Sequence, residues 1–359
     1  MDATNAPVVD CDTHFWQPLE LWEQYLDEPY RSAITKHLAE TEVVPRQIQG
    51  KKAEEATKVR GGDHPDARLE WMDGEGIDAC VIFPTNMAHL CYLPDGDLAS
   101  AACRALNRWS AEFAAAAPGR LKPAMVLPWY HPERALGEFR YAADLGLSVA
   151  FTTPTPSPDR RWSDPALDTL WGELEATKTV LTLHEFTRIP GGATVARTSY
   201  GDSYPMMYLC GHTVEAQLGL MDLLLGGVFN RFPELRIGLV EAHVAWLPGW
   251  LAMMDDQWER LATKFGSIES DAAATSASDL FRRQGFVVAF PNDTWITETI
   301  EHVGPEVVTV ATDYPHMQAR RDLVRQFDQH NPGLSSEVRA MVLGGNAMKL
   351  FGLELGATV

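Results

Sequence analysis

Val8-Val9-Asp10-Cys11-Asp12-Thr13-His14 reads as a buried strand that runs into an Asp-x-His pair. Residues two apart on a strand point to the same side. Asp12 and His14 therefore aim a carboxylate and an imidazole at a common point. That pairing suits a metal bound by hard oxygen and borderline nitrogen ligands. Taken alone, the pair is also compatible with a hydrogen-bonded strand end. The later strands decide the matter, by whether they too end in ligands.

Residues 15–65 follow as a long, loop-like excursion with short helices and no evident strand. They hold Pro18, Pro29, Pro45 and the charged run Lys51-Lys52-Ala53-Glu54-Glu55. A regular alternation then sets in. Apolar runs at 77–83, 121–127, 147–152, 179–184, 235–241, 285–290 and 307–312 predict seven more strands. Helical spacing is expected over 66–75, 97–117, 132–145, 164–177, 213–230, 244–265 and 293–302, and the remainder reads as helical to Phe351. A second excursion spans 185–211. The runs are continuously apolar rather than alternating, as in parallel strands buried on both faces. Eight βα units predict a (β/α)8 barrel, of the TIM type, in a single domain over 1–359. The two excursions are expected to shape the substrate pocket. A doubly wound sheet would carry a glycine-rich turn after an early strand. Asp12-Thr13-His14-Phe15-Trp16 has no glycine.

The 359 residues are 45% hydrophobic, enough for one large core, and carry a formal charge of −19. So acidic a surface argues against nucleic acid and anionic membranes as partners. Five cysteines, with no C-x-x-C spacing, read as free thiols in a reducing compartment. Met1-Asp2-Ala3-Thr4 lacks the features of a signal peptide, and no apolar run is long enough to span a bilayer. A soluble cytoplasmic protein is the expectation.

In a barrel, chemistry sits at the C-terminal ends of the strands. The first strand ends in Asp12 and His14, the fifth in His184, and the sixth in Glu241 with His243 just beyond. The eighth ends in Asp313, followed by Tyr314-Pro315-His316. The other four offer no strong ligand. Asp12, His14, His184 and Asp313 make a mixed nitrogen and oxygen set for one divalent ion, zinc first and manganese second. Two carboxylates and two neutral imidazoles carry −2, which one such ion neutralises. It would also lower the pKa of a bound water. Asp313 could then both ligate and pass protons.

Other residues keep alternatives open. Glu241 reads either as a carboxylate that orients a ligating histidine or as a general acid/base. His243 reads as a helix cap, a stacking partner for Trp246 behind the site, or a catalytic group. His316 reads as orienting Asp313 or the loop after it, with direct catalysis as the alternative. His212 reads as a substrate contact or a cap. Arg188, Arg160 and Arg161 could clamp a substrate carboxylate or be solvated.

Val9-Asp10-Cys11-Asp12-Thr13-His14-Phe15-Trp16-Gln17-Pro18 resembles the opening of the amidohydrolase-2 group of the metal-dependent amidohydrolase superfamily. The similarity is to the branch of aminocarboxymuconate semialdehyde decarboxylase. Residues 227–237, Glu241-Ala242-His243-Val244-Ala245-Trp246-Leu247-Pro248 and Gly345-Asn346-Ala347-Met348-Lys349-Leu350-Phe351 extend it. Thr312-Asp313-Tyr314-Pro315-His316 matches the family's Ser-Asp-Tyr-Pro-His segment closely. The resemblance implies the barrel, the same four ligands, one divalent metal and often a homodimer. It implies decarboxylation or hydrolysis of small, often aromatic, carboxylic acids. Three positions depart from it. Asp12 stands where His or Glu is frequent, Glu241 where decarboxylases carry His, and His243 where Gly is usual.

The leading expectation is non-oxidative decarboxylation of an aromatic or unsaturated acid, with Asp313, Glu241 or His243 supplying the proton. A hydrolase using metal-activated water on an amide, ester or C–C bond is the second. A metal-free binding barrel is the third.

Overall fold

The computed structural model describes residues 6–40, 60–85, 87–155, 160–185, 199–200, 203–265, 275–316 and 318–355. Its frame is eight parallel strands: β1 (Val9–His14), β2 (Ala79–Phe83), β3 (Leu121–Met125), β4 (Val149–Thr152), β5 (Val180–His184), β6 (Ile237–Val240), β7 (Gly285–Ala289) and β8 (Val308–Val310). Each pairs with the next in sequence order. The ring closes where the chain leaving β8 meets β1. Asp313 N–H donates to Asp12 O at 2.9 Å, and His14 N–H donates to Tyr314 O at 2.6 Å. The expected (β/α)8 barrel is therefore present.

The strands are buried on both faces, apart from partly exposed Lys122, which is why they read as unbroken apolar runs. Helices 65–75, 96–114, 132–144, 168–176, 216–225, 247–265 and 296–303 cover the outside. Asp95 and Asp164 cap the helical segments that follow them with their carboxylates. All five cysteines are buried free thiols. Among the described residues, no helix is long and apolar enough to cross a membrane.

Several boundaries differ from the sequence reading. The strands at 235–241 and 307–312 shrink to Ile237–Val240 and Val308–Val310. Glu241 (φ 54°) and Asp313 (φ 66°) adopt left-handed backbone, which leaves the extended ladder. The helix expected over 213–230 begins at Tyr204, next to Pro205. It widens into a π-turn over Cys210–Glu215, resumes to Leu225, and breaks at Gly227 (φ 79°). The C-terminal region is not one helical stretch. Helices Leu323–His330, Ser336–Ala340 and Asn346–Phe351 are separated by Pro332-Gly333 and a π-turn over Met341–Gly345.

Gly238 on β6 faces Phe286 on β7, its register partner. A Cβ there would lie 2.1 Å from the buried Phe286 ring. Gly238→Ala should lower stability by about 1–3 kcal/mol through overpacking, read as a lower urea midpoint. An unchanged midpoint would mean that the ring has room to move.

Candidate metal centre

Asp12 and His14 point from β1 into the mouth of the barrel, as their i, i+2 spacing requires. Asp12 Oδ1 lies 3.2 Å from His14 Nε2 and 3.3 Å from His184 Nε2, at the end of β5. His14 Nε2 lies 3.4 Å from Asp313 Oδ1. All four side chains are buried. Glu241 closes the group, with Oε2 3.8 Å from His184 Nε2.

The imidazoles are held by their far nitrogens. His14 Nδ1 donates to Pro84 O at 3.2 Å, and His184 Nδ1 donates to Glu185 O at 2.9 Å. In the neutral tautomer this leaves the Nε2 lone pairs directed into the site. Donors about 2.1 Å from a cation and 90–109° apart lie about 3.0–3.4 Å from one another. The three Asp12, His14, His184 and Asp313 separations fall in that interval. Asp12 Oδ2, His14 Nε2 and both Asp313 carboxylate oxygens are buried with no hydrogen-bond partner among the described residues. Such groups are expensive to bury unless a cation or proton satisfies them. Asp12, His14, His184 and Glu241 each offer a donor atom within 4.8 Å of the other three, and Asp313 joins through His14 and His316, so the donors at this mouth fit a divalent metal.

Several residues fasten this geometry. His316 Nδ1 lies 2.6 Å from Asp313 Oδ1, and its ring stacks on His14 with centroids 3.9 Å apart. Arg68 is fully buried and donates to the carbonyls of Gly61 and His14. Its guanidinium lies 4.9 Å from the Tyr314 ring, which stacks on Trp71. Asp10 accepts from the Thr312 backbone at 3.0 Å and from the Thr312 hydroxyl at 2.5 Å.

A second group adjoins the first. Glu241 Oε1 lies 3.0 Å from His212 Nε2 and accepts from the Tyr208 hydroxyl at 3.2 Å. Glu185 Oε2 lies 3.5 Å from the same His212 nitrogen. His212 thus stands inside the π-turn, with its ring stacked on Tyr208.

Electrostatics separates the carboxylates. Burial pushes Asp12 up, but the charges of His184 and His14 outweigh it and hold the group below its ordinary value. Burial likewise raises Glu241, yet His212 and His184 bring it well below. Burial and then Glu241 push Asp313 well above the carboxylate range. Burial lowers His184 and His212, but Asp12 with Glu241 raises His184 to about 10, and Glu241 with Glu185 raises His212 to about 9. Burial followed by His316 lowers His14. A bound cation would change this balance by replacing the imidazolium charges.

His243 stands apart. It also has left-handed backbone (φ 57°), its Nδ1 lies 2.7 Å from Asp293 Oδ1, and its ring packs edge-on to Phe290. Trp246 donates its indole N–H to Ala242 O at 2.8 Å, within the turn after β6. Arg160 pairs with Asp164 at 3.5 Å. Arg188 lies outside the described residues, as do parts of both excursions. The sequence reading missed Glu185, Tyr208, Arg68 and Asp10. The doublet His184-Glu185 and the i, i+4 pair Tyr208 and His212 were the available signals.

Residues 9–353 match the amidohydrolase family. The chain is 25% identical over 305 residues to gamma-resorcylate decarboxylase from Polaromonas sp. (strain JS666 / ATCC BAA-500), covering 81% of this chain and 88% of that one. Among solved structures, it is similar to 5-carboxyvanillate decarboxylase from Sphingomonas paucimobilis. That match has a TM-score of 0.77 at 23% identity, over 98% of this chain and 100% of the other. A dihydroxybenzoic acid decarboxylase from Polaromonas sp. JS666, with bound manganese and 2-nitroresorcinol, matches with a TM-score of 0.71. The identity there is 21%, over 97% of each chain.

Thr312→Val removes the hydroxyl that satisfies buried Asp10. It should lower stability by about 1–3 kcal/mol, read as a lower denaturation midpoint. A wild-type midpoint would contradict the role given to this contact.

Proposed function

The chain belongs to the amidohydrolase family, and on that premise we propose that it is a metal-dependent, non-oxidative decarboxylase of a small aromatic carboxylic acid. The carrying observation is the convergence of Asp12, His14, His184 and Asp313, with neighbouring donor atoms 3.2, 3.3 and 3.4 Å apart. The substrate class is supported by the relatives named for gamma-resorcylate, 5-carboxyvanillate and dihydroxybenzoic acid. Those four side chains would hold one divalent cation. Their donors accept zinc or manganese, and the manganese in the dihydroxybenzoic acid decarboxylase favours manganese. When bound, the cation supplies Lewis acidity that draws the substrate carboxylate to the site and offsets the buried negative charge.

The remaining chemistry belongs to the chain's own groups. Three proton carriers were candidates. Glu241 is held well below the ordinary carboxylate range by His212 and His184. His243 is engaged by Asp293. Asp313 faces His14 and His316 at 3.4 and 2.6 Å, and in the absence of a cation burial and Glu241 push it towards its protonated form. We therefore assign it the proton, with His316 orienting its carboxyl. Asp313 protonates the ring carbon that bears the carboxylate. A C–H bond forms there and the ring loses its aromaticity. The C–C bond to the carboxylate then breaks, its electron pair restores the ring, and CO₂ leaves. Asp313 is left ionised and regains a proton from solvent or from the next substrate's acidic group. Phe83 packs its buried ring 4.9 Å from that of His184.

Carboxyl-labelled hydroxybenzoates in ¹⁸O-water test this reading. Labelled CO₂ should appear in step with the decarboxylated arene, and the arene should carry no ¹⁸O. Incorporation of ¹⁸O into an aromatic product would instead indicate hydrolysis. Asp313→Asn should lower kcat by at least about 10²-fold, the usual scale for a positioned proton donor, with metal content measured alongside. Wild-type turnover in that variant would refute the assignment.

A further inference from the structure

His212, Glu185 and Glu241 form a group that the reaction above does not use. Glu241 and His212 are each 3% exposed, and the Glu185 side chain is 13% exposed. His212 is built like the two imidazoles of the first cluster. Its Nδ1 donates to a backbone carbonyl, Tyr208 O, at 2.7 Å, and its Nε2 faces inward. That buried Nε2 has no hydrogen-bond partner among the described residues. Glu241 Oε1 is only 3.0 Å away. Glu185, His212 and Glu241 each offer one donor atom within 4.8 Å of the other two, as ligands on one ion do. The Nε2 separations of 3.0 Å to Glu241 and 3.5 Å to Glu185 are close to the roughly 3.0–3.4 Å expected between ligands of one cation.

Glu241 also divides its oxygens. Oε2 turns to His184 at 3.8 Å and Oε1 to His212. Its left-handed backbone (φ 54°) sets the carboxylate between the two groups. Among the described residues, the ion-pair partners of Asp12, Glu241 and Asp313 are all imidazoles. When ionised, these three buried carboxylates carry −3.

We propose that Glu185, His212 and Glu241 bind a second divalent first-row cation, with Glu241 bridging it to the cation at Asp12, His14, His184 and Asp313. This rests on the reading of the first cluster as a metal centre. The Tyr208 hydroxyl, donating to Oε1, fixes the bridge without using its remaining lone pair.

The test is manganese stoichiometry by equilibrium dialysis of the full chain, with electron paramagnetic resonance of the loaded protein. The wild type should bind two ions per chain and show the spectrum of an exchange-coupled pair. His212→Ala and Glu185→Gln, checked for folding by circular dichroism, should each bind one and show an uncoupled ion. One ion in the wild type, unchanged in both variants and lost in Asp12→Ala, would overturn the second site and leave the first standing. No bound ion in the wild type would overturn both.

Discussion

Asp12 and Asp313 are buried together where β1 meets the chain leaving β8, and much of the molecule answers to that placement. The backbone bond from Asp313 to Asp12 is one of the two that close the barrel. Closure therefore brings these two residues side by side. Ionised carboxylates so placed repel each other in a medium that screens poorly. The structure meets this with imidazoles on both sides, a proton-favouring setting for Asp313, and a donor arrangement suited to a cation. Strain is accepted for the same end. Glu241, His243 and Asp313 all take left-handed backbone at the barrel mouth. Arg68, Asp10 and Thr312 lie behind this layer and hold the backbone that carries it.

What could be read from the residues follows from how local each signal is. The strands were legible because both faces are buried, so each is an apolar run bounded by Gly, Pro or charge. Asp12 and His14 were legible because strand periodicity puts i and i+2 on one side, and His184 because it terminates β5. Asp313 and Glu241 were found as strand ends, although neither is extended. A dihedral change at the last residue leaves no mark in the composition. The group around His212 was not legible as a group. It depends on a π-turn that rotates one residue relative to its neighbours. It also depends on Tyr208 being one helical turn from His212, within a region read as a loop. Arg68 was hidden among ordinary helix residues, since nothing in its neighbours signals a fully buried guanidinium.

Glu241 is where this chain differs most from the pattern it resembles. A histidine there would be a neutral or cationic partner, whereas glutamate adds a charge to a mouth already rich in carboxylates. The structure offsets that charge with His212 and His184, at 3.0 and 3.8 Å. That pairing holds Glu241 well below the ordinary carboxylate range.

The central claim is that the ends of β1 and β5 and the turn after β8 hold a divalent cation. Anomalous diffraction at the manganese edge, from crystals of manganese-loaded protein, tests it most directly. A peak is expected about 2.0–2.3 Å from His14 Nε2, His184 Nε2 and a carboxylate oxygen of Asp12 and of Asp313. A map with no peak among these four residues, at full manganese loading, would contradict it.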